Sequence, residues 1–423
     1  MPYPSPSLFP ALTGLYPGML PPPVIGGGPV DTSGNPTGFD ESEYWRTTDN
    51  ARPSGLRWIA VDLLSGGIIC DLPTIVSWDP LRRTLGKYES LTCQLMITDI
   101  VSPSWLLGTR PFAAALIAYR GAPGSEVIYW GGVVLRRQRI QGSNAVTLTL
   151  ATPECYLDRR YTGAYTTDPA LSGATRDQTT IVTDLIDQFV ITGNGLPITV
   201  IELAGLSVQR YAVYNDYDDK TVYSNLGALT ALVNGPEWTG HWLWDHGANT
   251  ITPTITTGTH IGMTVPAGLA PRAVFDSANL VGGGLDENYS TGMGANIITA
   301  TSSGQGLARP QASSPNPIPT GFDGRPRIDY RYQPATSIQD PQTLQQHADH
   351  AYSLLTHGTN TITLKAAIIN APVYGSAWDL GDDIGFVLTG PAFPSDYVGV
   401  GRAIGYEADD TYVTPSLYVA QPN

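Results

Sequence analysis

The chain has 423 residues, more than a single hydrophobic core usually accommodates, so two or three domains are expected. Its net charge of −14 argues against a protein that grips nucleic-acid phosphates, because that binding requires clustered Lys and Arg. Cys70, Cys93 and Cys155 are odd in number and form no Cys-x-x-Cys pair. This argues against a disulfide framework and a zinc site, and it fits assembly in a reducing cytoplasm.

Charged residues make up only 14% of the chain, against about 25% in an average soluble domain. Sparse charge favours a subunit that hides much of its surface against neighbours, since charge is depleted at the centres of interfaces. Lysine occurs only at Lys87, Lys220 and Lys365, and the resulting arginine bias fits bidentate interface pairing or, equally well, GC-rich coding. No apolar run approaches about 18 residues and no basic residue precedes Arg46, so neither a membrane span nor a signal peptide is expected.

Residues 1–55 are predicted to be an extended, proline-rich arm. Eleven of the 35 prolines precede residue 54, and proline is excluded from helix interiors and central strands. Alone, such a segment is disordered or polyproline-like. We expect it to run along a neighbouring subunit and to dock through its apolar side chains, which are Leu8, Phe9, Leu12, Leu15, Tyr16, Met19, Leu20, Val24 and Ile25.

Residues 56–165 are predicted to form an antiparallel β-domain, either a barrel or a sandwich. Segments rich in β-branched and aromatic residues alternate there with turns that contain Gly, Pro and Asn. The predicted strands cover residues 58–62, 67–72, 90–97, 114–119, 127–134 and 145–150.

Residues 166–275 are predicted to be a mixed α/β domain. Apolar residues at helical spacing predict a helix over 179–191, behind the polar cap candidates Asp177, Thr179 and Thr180. A second helix is predicted over 220–233, where Asn234-Gly235-Pro236 stops it. An aromatic strand over 238–244 and a short strand over 251–257 follow.

Residues 276–423 are predicted to hold a loop, a helix and a second β-domain. The Gly-, Ser- and Pro-rich stretch 282–319 is expected to be loop. Asp340 is the predicted cap of a helix that has Pro341 at its first position and ends at Gly358. Its buried stripe is expected to be Leu344, Ala348, Ala351 and Leu355. Residues 361–419 are expected to be β again.

Four stretches follow one another along the chain, and none is diagnostic alone. They are Trp130-Gly131-Gly132-Val133-Val134 with 147–150 and 154–160, the helix leading into Gly235-Pro236-Glu237-Trp238-Thr239, Trp378-Asp379-Leu380-Gly381-Asp382-Asp383-Ile384 with 402–406, and 413–417. In this order they resemble the tail-hub or minor tail protein family of actinobacterial siphophages, whose fold is similar to the baseplate hub of contractile-tailed phages.

The resemblance implies a mainly β fold with a minority of helix, and two β-barrel tube domains in each of three subunits. Such a homotrimer would continue the tail tube as a pseudo-sixfold ring and carry a threefold fibre or spike. The implied partners are tail-tube and distal tail proteins, the tape measure protein and DNA in passage. At the Leu-Gly-Asp corner, Gly381 is expected to relieve the turn, and Asp382 or Asp383 to cap it.

The leading hypothesis is therefore a non-enzymatic virion protein at the distal tip of the tail, which closes the DNA channel. One alternative is a receptor-binding or carbohydrate-binding tip protein that contacts the host envelope. Another is a tail-associated cell-wall hydrolase, against which the sequence lacks an appended peptidase domain and any Gly-x-Ser-x-Gly or P-loop motif.

No residue is assigned a catalytic, cofactor-binding or metal-binding role. His347 and His350 have a spacing that could hold a metal, but no third ligand is placed, and an exposed helix face is expected instead. Trp238, Trp242 and Trp244 could stack on sugars, although packing is the expected role of such rings. The carboxylate pairs that a glycosidase requires could come from 216–219, Asp286 with Glu287, or Asp382 with Asp383. The run 216–219 precedes a predicted helix, where negative charge offsets the helix dipole, and this is its expected role.

Overall fold

A computed structural model of the protein describes residues 55–419, apart from 122–123, 125, 168–174, 267, 305–308, 323 and 335–339. Strands dominate and helices are few, which confirms the predicted mainly β class with a minority of helix. The predicted arm over residues 1–55 lies, but for its last residue, outside the described residues. Within the described ranges, no helix is long and apolar enough to cross a bilayer.

The first large sheet contains seven antiparallel strands and includes all six segments predicted in this region. They are β1 (Arg57–Asp62), β2 (Ile68–Asp71), β3 (Ile75–Trp78), β5 (Ser90–Met96), β6 (Ala114–Arg120), β7 (Val127–Arg139) and β8 (Ala145–Ala151), in the order β2-β1-β6-β7-β8-β5-β3. Alternate residues of β5 are buried, because successive side chains of a strand point to opposite faces. A short helix, α1 (Trp105–Gly108), precedes β6.

The middle of the chain is mixed, as predicted. It contains a 3-10 helix (Pro153–Arg159), β9 (Tyr165–Thr166), β10 (Arg176–Asp177), α2 (Gln178–Ile186), a π turn (Asp187–Ile191), β11 (Thr199–Glu202), β12 (Gln209–Arg210), β13 (Val213–Tyr214), a 3-10 turn (Asp216–Asp218), α3 (Val222–Thr230), β14 (Glu237–Asp245) and β15 (Thr250–Gly258). Asp177 caps α2 by accepting from the backbone N of Thr179 at 2.9 Å. Strands β11, β15 and β14 form a three-stranded sheet.

The second large sheet is also seven-stranded, and one strand comes from the first part of the chain. It consists of β16 (Val274–Phe275), β17 (Leu280–Asn288), β21 (Thr359–Ala367), β22 (Asp383–Gly390), β23 (Phe393–Ala408), β24 (Tyr412–Tyr418) and β4 (Leu81–Thr84). Strand β4 pairs antiparallel with β23, from Gly405 opposite Thr84 to Ala408 opposite Leu81. The chain thereby ties its two large sheets together.

A small sheet packs against the best-predicted helix. Strands β18 (Ile297–Thr301), β19 (Gln311–Ser314) and β20 (Asp329–Tyr332) form it, and α4 (Pro341–Leu355) lies against it. Asp340 accepts from the backbone N of Thr343 at 2.7 Å and Pro341 occupies the first turn, which confirms the predicted helix start. Leu344 and Ala348 are buried as expected, whereas Ala351 and Leu355 are only half-buried.

The expectation that 282–319 is loop is wrong. Strand β17 and strands β18 and β19 occupy much of it. A β-carbon at Gly283 would lie 2.8 Å from Cδ2 of Leu388, so the absence of a side chain permits the close approach. Pairing with β21, rather than local propensity, makes this glycine-rich segment a strand.

The buried side chains of the two large sheets belong to one continuous hydrophobic cluster. It includes Trp58 and Trp130 from the first sheet and Phe275, Phe386 and Tyr406 from the second. Among the described strands, no pairing joins the two edges of either sheet, so each sheet is open where a closed barrel had been expected.

Candidate functional site

The segment around β4 contacts the first large sheet, the second large sheet and strand β14 of the middle region. The indole nitrogen of Trp130, in the first sheet, donates to the backbone O of Arg82 at 2.9 Å. The backbone N of Leu85 donates to the O of Ile404 in the second sheet at 2.9 Å. The backbone N of Gly86 donates to the O of Trp238 on β14 at 3.0 Å. This segment is the structural junction of the molecule.

A buried cation occupies the centre of the junction. Arg83 is 7% exposed, and its guanidinium donates to the hydroxyl of Tyr374 at 3.1 Å, to Oγ1 of Thr239 at 3.0 Å and to the backbone O of Gly240. Three acceptors from two elements thus converge on one side chain. Arginine suits this role because its planar fork presents several fixed donors.

A buried carboxylate binds the backbone N–H of the same residue, Gly240. Glu154 is 1% exposed, and its Oε1 accepts from the backbone N of Gly240 at 2.7 Å. Burial raises the pKa of Glu154, and the nearby Arg83 partly opposes that rise. A β-carbon at residue 240 would lie 2.5 Å from Cδ of Glu154, so only glycine fits between the two charged groups.

Aromatic rings enclose the junction on the side of the second sheet. Tyr374 lies with its ring centroid 4.4 Å from that of Tyr406, and 5.2 Å from that of Trp378. The hydroxyl of Tyr406 donates to the backbone O of Tyr129 in β7. These contacts pack the second sheet against the first.

A bidentate ion pair joins β14 to the second sheet. Arg402 donates from Nη1 to Oε1 of Glu237 at 2.6 Å and from Nη2 to its Oε2. The same Nη2 donates to the backbone O of Ile261 at 3.0 Å. Both side chains are about four-fifths buried, a setting in which such forked pairs are strong.

The Leu-Gly-Asp corner follows the prediction made for it. Gly381 has φ +90°, in the region that favours glycine, and a β-carbon there would lie 2.2 Å from the backbone O of Ile261. Asp382 accepts from the backbone N of Met263 at 2.6 Å, and Asp383 from that of Val265 at 2.8 Å. The two carboxylates therefore tie the corner to the segment 263–265.

A cavity of about 250 Å³ opens beside the junction. We call it the indole cavity. Its lining includes Trp242 and Trp244 from β14, Glu126 immediately before β7, His241, His246 and Asp379. Burial, followed by the charge of Arg83, lowers the pKa of His241 to about 4, so this imidazole is neutral at physiological pH.

The predicted tryptophan strand does not present an exposed aromatic platform. Trp238 and Trp242 are 1% and 6% exposed, and only Trp244 is partly open. The ring of Trp242 packs against Gly131 of β7, where a β-carbon would lie 2.4 Å from its Cδ1. Two of the three rings therefore serve packing, and what remains accessible is the cavity that they line.

The other candidate residues lie apart. His347 is 5% exposed, contrary to the expected surface face, and its ring interacts with the backbone of Ala231, just after α3. No group of three His, Cys, Asp or Glu residues that could hold a metal occurs in the part of the chain that the structure describes. The acidic run 216–219 precedes α3 and is exposed, and Asp286 and Glu287 are exposed on β17.

The sequence reasoning missed Arg83 and Glu154 as junction residues. Glu154 was named only within a stretch that carries the family resemblance. Arg83 lies in a four-residue strand that the residue pattern did not predict. An Arg between two apolar positions, Leu81 and Leu85, was the available signal.

No protein-family model and no curated protein matches the chain. Among solved structures, the 43 kDa tail protein of prophage MuSo2 from Shewanella oneidensis is similar over 86% of this chain and 98% of its own, with 11% identity and a TM-score of 0.50. The tail protein from Neisseria meningitidis MC58 is similar over 86% and 96%, with 12% identity and a TM-score of 0.48. At such identity the likeness shows the fold alone, so the chain has a phage tail-protein fold.

Proposed function

We propose that the protein is a structural, non-enzymatic subunit of a phage tail and forms a trimeric hub at the tail tip. The observation that carries the proposal is the fold, which it shares over 86% of its length with a prophage tail protein. Fold alone does not determine function, so the proposal rests also on how the chain is built. Two seven-stranded sheets in each chain would give a threefold ring six similar sheets.

The junction supports a role in which the subunit transmits force. Arg83 and Glu154 hold the backbone of Gly240 from its O and its N, and Arg402 with Glu237 forms a second polar link. Buried groups of this kind tolerate little relative movement, because any separation leaves a charge unpaired away from water. A subunit that transmits force from fibres to a tube requires such a fixed relation between its sheets.

The open edge of the second sheet supports association with further chains. Strand β17 has no buried residue, and Val281 is 58% exposed. Its outer edge has no strand partner among the described residues. Exposed strand edges are normally covered or blunted, so a neighbouring subunit in the ring would satisfy this one.

The ring is tested by the mass of the purified protein, alone and with tail-tube protein, by light scattering after size-exclusion chromatography. We expect a trimer, or a threefold ring that caps tubes. Val281→Lys should reduce assembly without unfolding the chain, whereas Leu206→Lys, at an 82% exposed position outside the strands, should not. A stable monomer that ignores tubes would contradict the hub.

The arm and the channel are further parts of this proposal. Deletion of residues 1–53 is expected to weaken assembly while the sheets stay folded, and an unchanged particle yield would contradict that role. The net charge of −14 suits a passage that repels DNA and lets it slide. A zymogram on host envelope is expected to be negative, in contrast to the hydrolase alternative.

A further inference from the structure

Three arginines lie together at one end of the first sheet, and we call them the arginine patch. They are Arg110, just after α1, and Arg137 and Arg139 at the end of β7. Arg137 donates from Nη1 to the backbone O of Leu106 at 2.5 Å and to Oγ1 of Thr109 at 3.1 Å, which holds β7 against α1. Arg110 and Arg139 are exposed.

The arginine patch has no ion pair within the part of the chain that the structure describes. Acidic residues are nevertheless abundant, since the whole chain has 37 of them against 23 basic residues. Burial, followed by the charges of Arg139 and Arg110, lowers the pKa of Arg137. Like charges held near one another repel, so a partner that brings carboxylates to this surface relieves the repulsion.

Apolar side chains border the arginine patch. Leu106 and Leu107 on α1 are exposed, and so is Phe112, two residues after Arg110. The backbone N of Phe112 donates to the backbone O of Val134 at 2.8 Å, which places this residue beside β7 as well. Arginine next to exposed apolar and aromatic side chains is typical of a surface that binds protein.

The chain also contains a segment of complementary character, which we call the acidic segment. It is Phe39-Asp40-Glu41-Ser42-Glu43-Tyr44-Trp45, with three carboxylates and three aromatic rings, and no basic residue precedes Arg46. The acidic segment belongs to the predicted arm and lies outside the described residues. Carboxylates form forked hydrogen bonds with guanidinium groups, and aromatic rings pack on apolar side chains. Each property of the segment therefore matches one property of the surface around the patch.

We propose that the acidic segment of one copy binds the arginine patch of a neighbouring copy. This inference rests on the trimeric ring of the proposed function, and it names the surface that the arm occupies there. Arg57, the first residue of β1, follows Trp45 by twelve positions. A chain of that length spans at most about 43 Å when it is extended, so the acidic segment can lie on an adjacent subunit.

Nucleic acid is the competing anionic ligand. Its phosphates would also pair with arginine, but proteins that bind duplex DNA through its backbone make on the order of six to ten phosphate contacts, and the patch offers three arginines. Phosphates also have no use for the exposed leucines of α1, whereas the rings of the acidic segment can cover them. A peptide segment therefore fits both the charge and the apolar border.

The first experiment measures recognition on the full chain, with its own acidic segment reversed so that the patch is free. The variant carries Asp40→Lys, Glu41→Lys and Glu43→Lys, and the probe is a fluorescent peptide of residues 36–48. Fluorescence anisotropy gives the dissociation constant. A second peptide with Asp40→Asn, Glu41→Gln and Glu43→Gln keeps the shape and removes the charge.

The patch is tested in the same background by Arg110→Glu with Arg139→Glu. The matched control is Lys87→Glu with Arg331→Glu, which makes the same change of charge at two exposed positions on other elements. We expect about tenfold or greater weakening from the patch variant and from the uncharged peptide, and no change from the control. Binding should also weaken as salt rises from about 50 to about 500 mM, because exposed charges are screened. Thermal unfolding checks the folding of each variant, and the uncharged peptide decides if the patch variant is unfolded.

Three results would overturn the proposal: no binding of the peptide, equal binding by the patch variant and the control, or a patch that binds a DNA duplex and not the peptide. The second experiment measures mass by light scattering. Reversal of the acidic segment or of the patch alone should reduce assembly, and both reversals in one chain should restore it. Unchanged assembly in every variant would overturn the link between copies. A monomeric wild type would contradict the ring itself, and the peptide titration then decides alone whether the patch recognises the segment.

Discussion

Replacement of Arg83 tests whether the buried junction holds the fold together. Arg83→Met leaves the hydroxyl of Tyr374, Oγ1 of Thr239 and the backbone O of Gly240 without their donor. It also leaves the buried Glu154 without the positive charge that opposes its desolvation. Methionine has a similar length and no charge, so the substitution removes the polar contacts with little change in volume.

The expected loss follows from burial. Leaving a buried acceptor without its donor typically costs about 1–3 kcal/mol, and Arg83→Met does this at three acceptors. A whole domain has only about 5–15 kcal/mol of stability, so the loss is large. The neighbouring Arg82 is the matched control, because its side chain is 51% exposed and makes one ion pair, to Glu407 at 2.7 Å. Loss of an exposed pair is expected to cost about 0–1 kcal/mol.

The assay is urea denaturation at pH 7 of the wild type, Arg83→Met and Arg82→Met, followed by tryptophan fluorescence and circular dichroism. We expect the free energy of unfolding to fall by at least about 3 kcal/mol in Arg83→Met and by less than about 1 kcal/mol in Arg82→Met. Arg83→Lys should fall between them, since one compact ammonium cannot reach all three acceptors. Equal stability of Arg83→Met and Arg82→Met would refute the reasoning.

Three further predictions concern the corner, a helix start and the thiols. Gly381→Ala should destabilise by more than about 2 kcal/mol, from backbone strain and the clash with Ile261, whereas Gly284→Ala, with no atom within 4 Å of the new carbon, should stay within about 0.5 kcal/mol in the same urea assay. Asp340→Ala should cost about 1 kcal/mol at pH 7 by calorimetry. Hydrogen bonds from Thr343 lower the pKa of Asp340 in the folded protein below the unfolded pKa of 3.8. The stabilisation by this cap is therefore complete above pH 3.8 and is lost as the pH falls through the lower folded pKa. A loss of stability in Asp340→Ala that persists at pH 2 would contradict this. A thiol reagent at pH 8 should label none of Cys70, Cys93 and Cys155 in the native protein and all three in urea. The reason is that burial raises the pKa of each thiol to about 12. Labelling of the native protein would contradict the burial of these side chains.

Local chemistry was enough to predict the elements whose cause is local. Runs of β-branched and aromatic residues between turn residues predicted six strands of the first sheet, and Asp340-Pro341 predicted the start of α4. Gly381 was expected in a turn from the family resemblance, and it has the positive φ that few other residues adopt. In each case the residues that determine the element lie within a few positions of it.

The tertiary structure alone decided the elements whose partners are distant in the sequence. Strand β17 is rich in glycine and has no strong propensity of its own, and it forms by pairing with β21, some 70 residues further on. Arg83 is separated from Tyr374 by 291 positions and from Thr239 by 156. The periodicity of the sequence indicates which side chains become buried. The partner of a buried charged side chain, however, depends on how distant segments pack together, and that packing is a property of the whole chain.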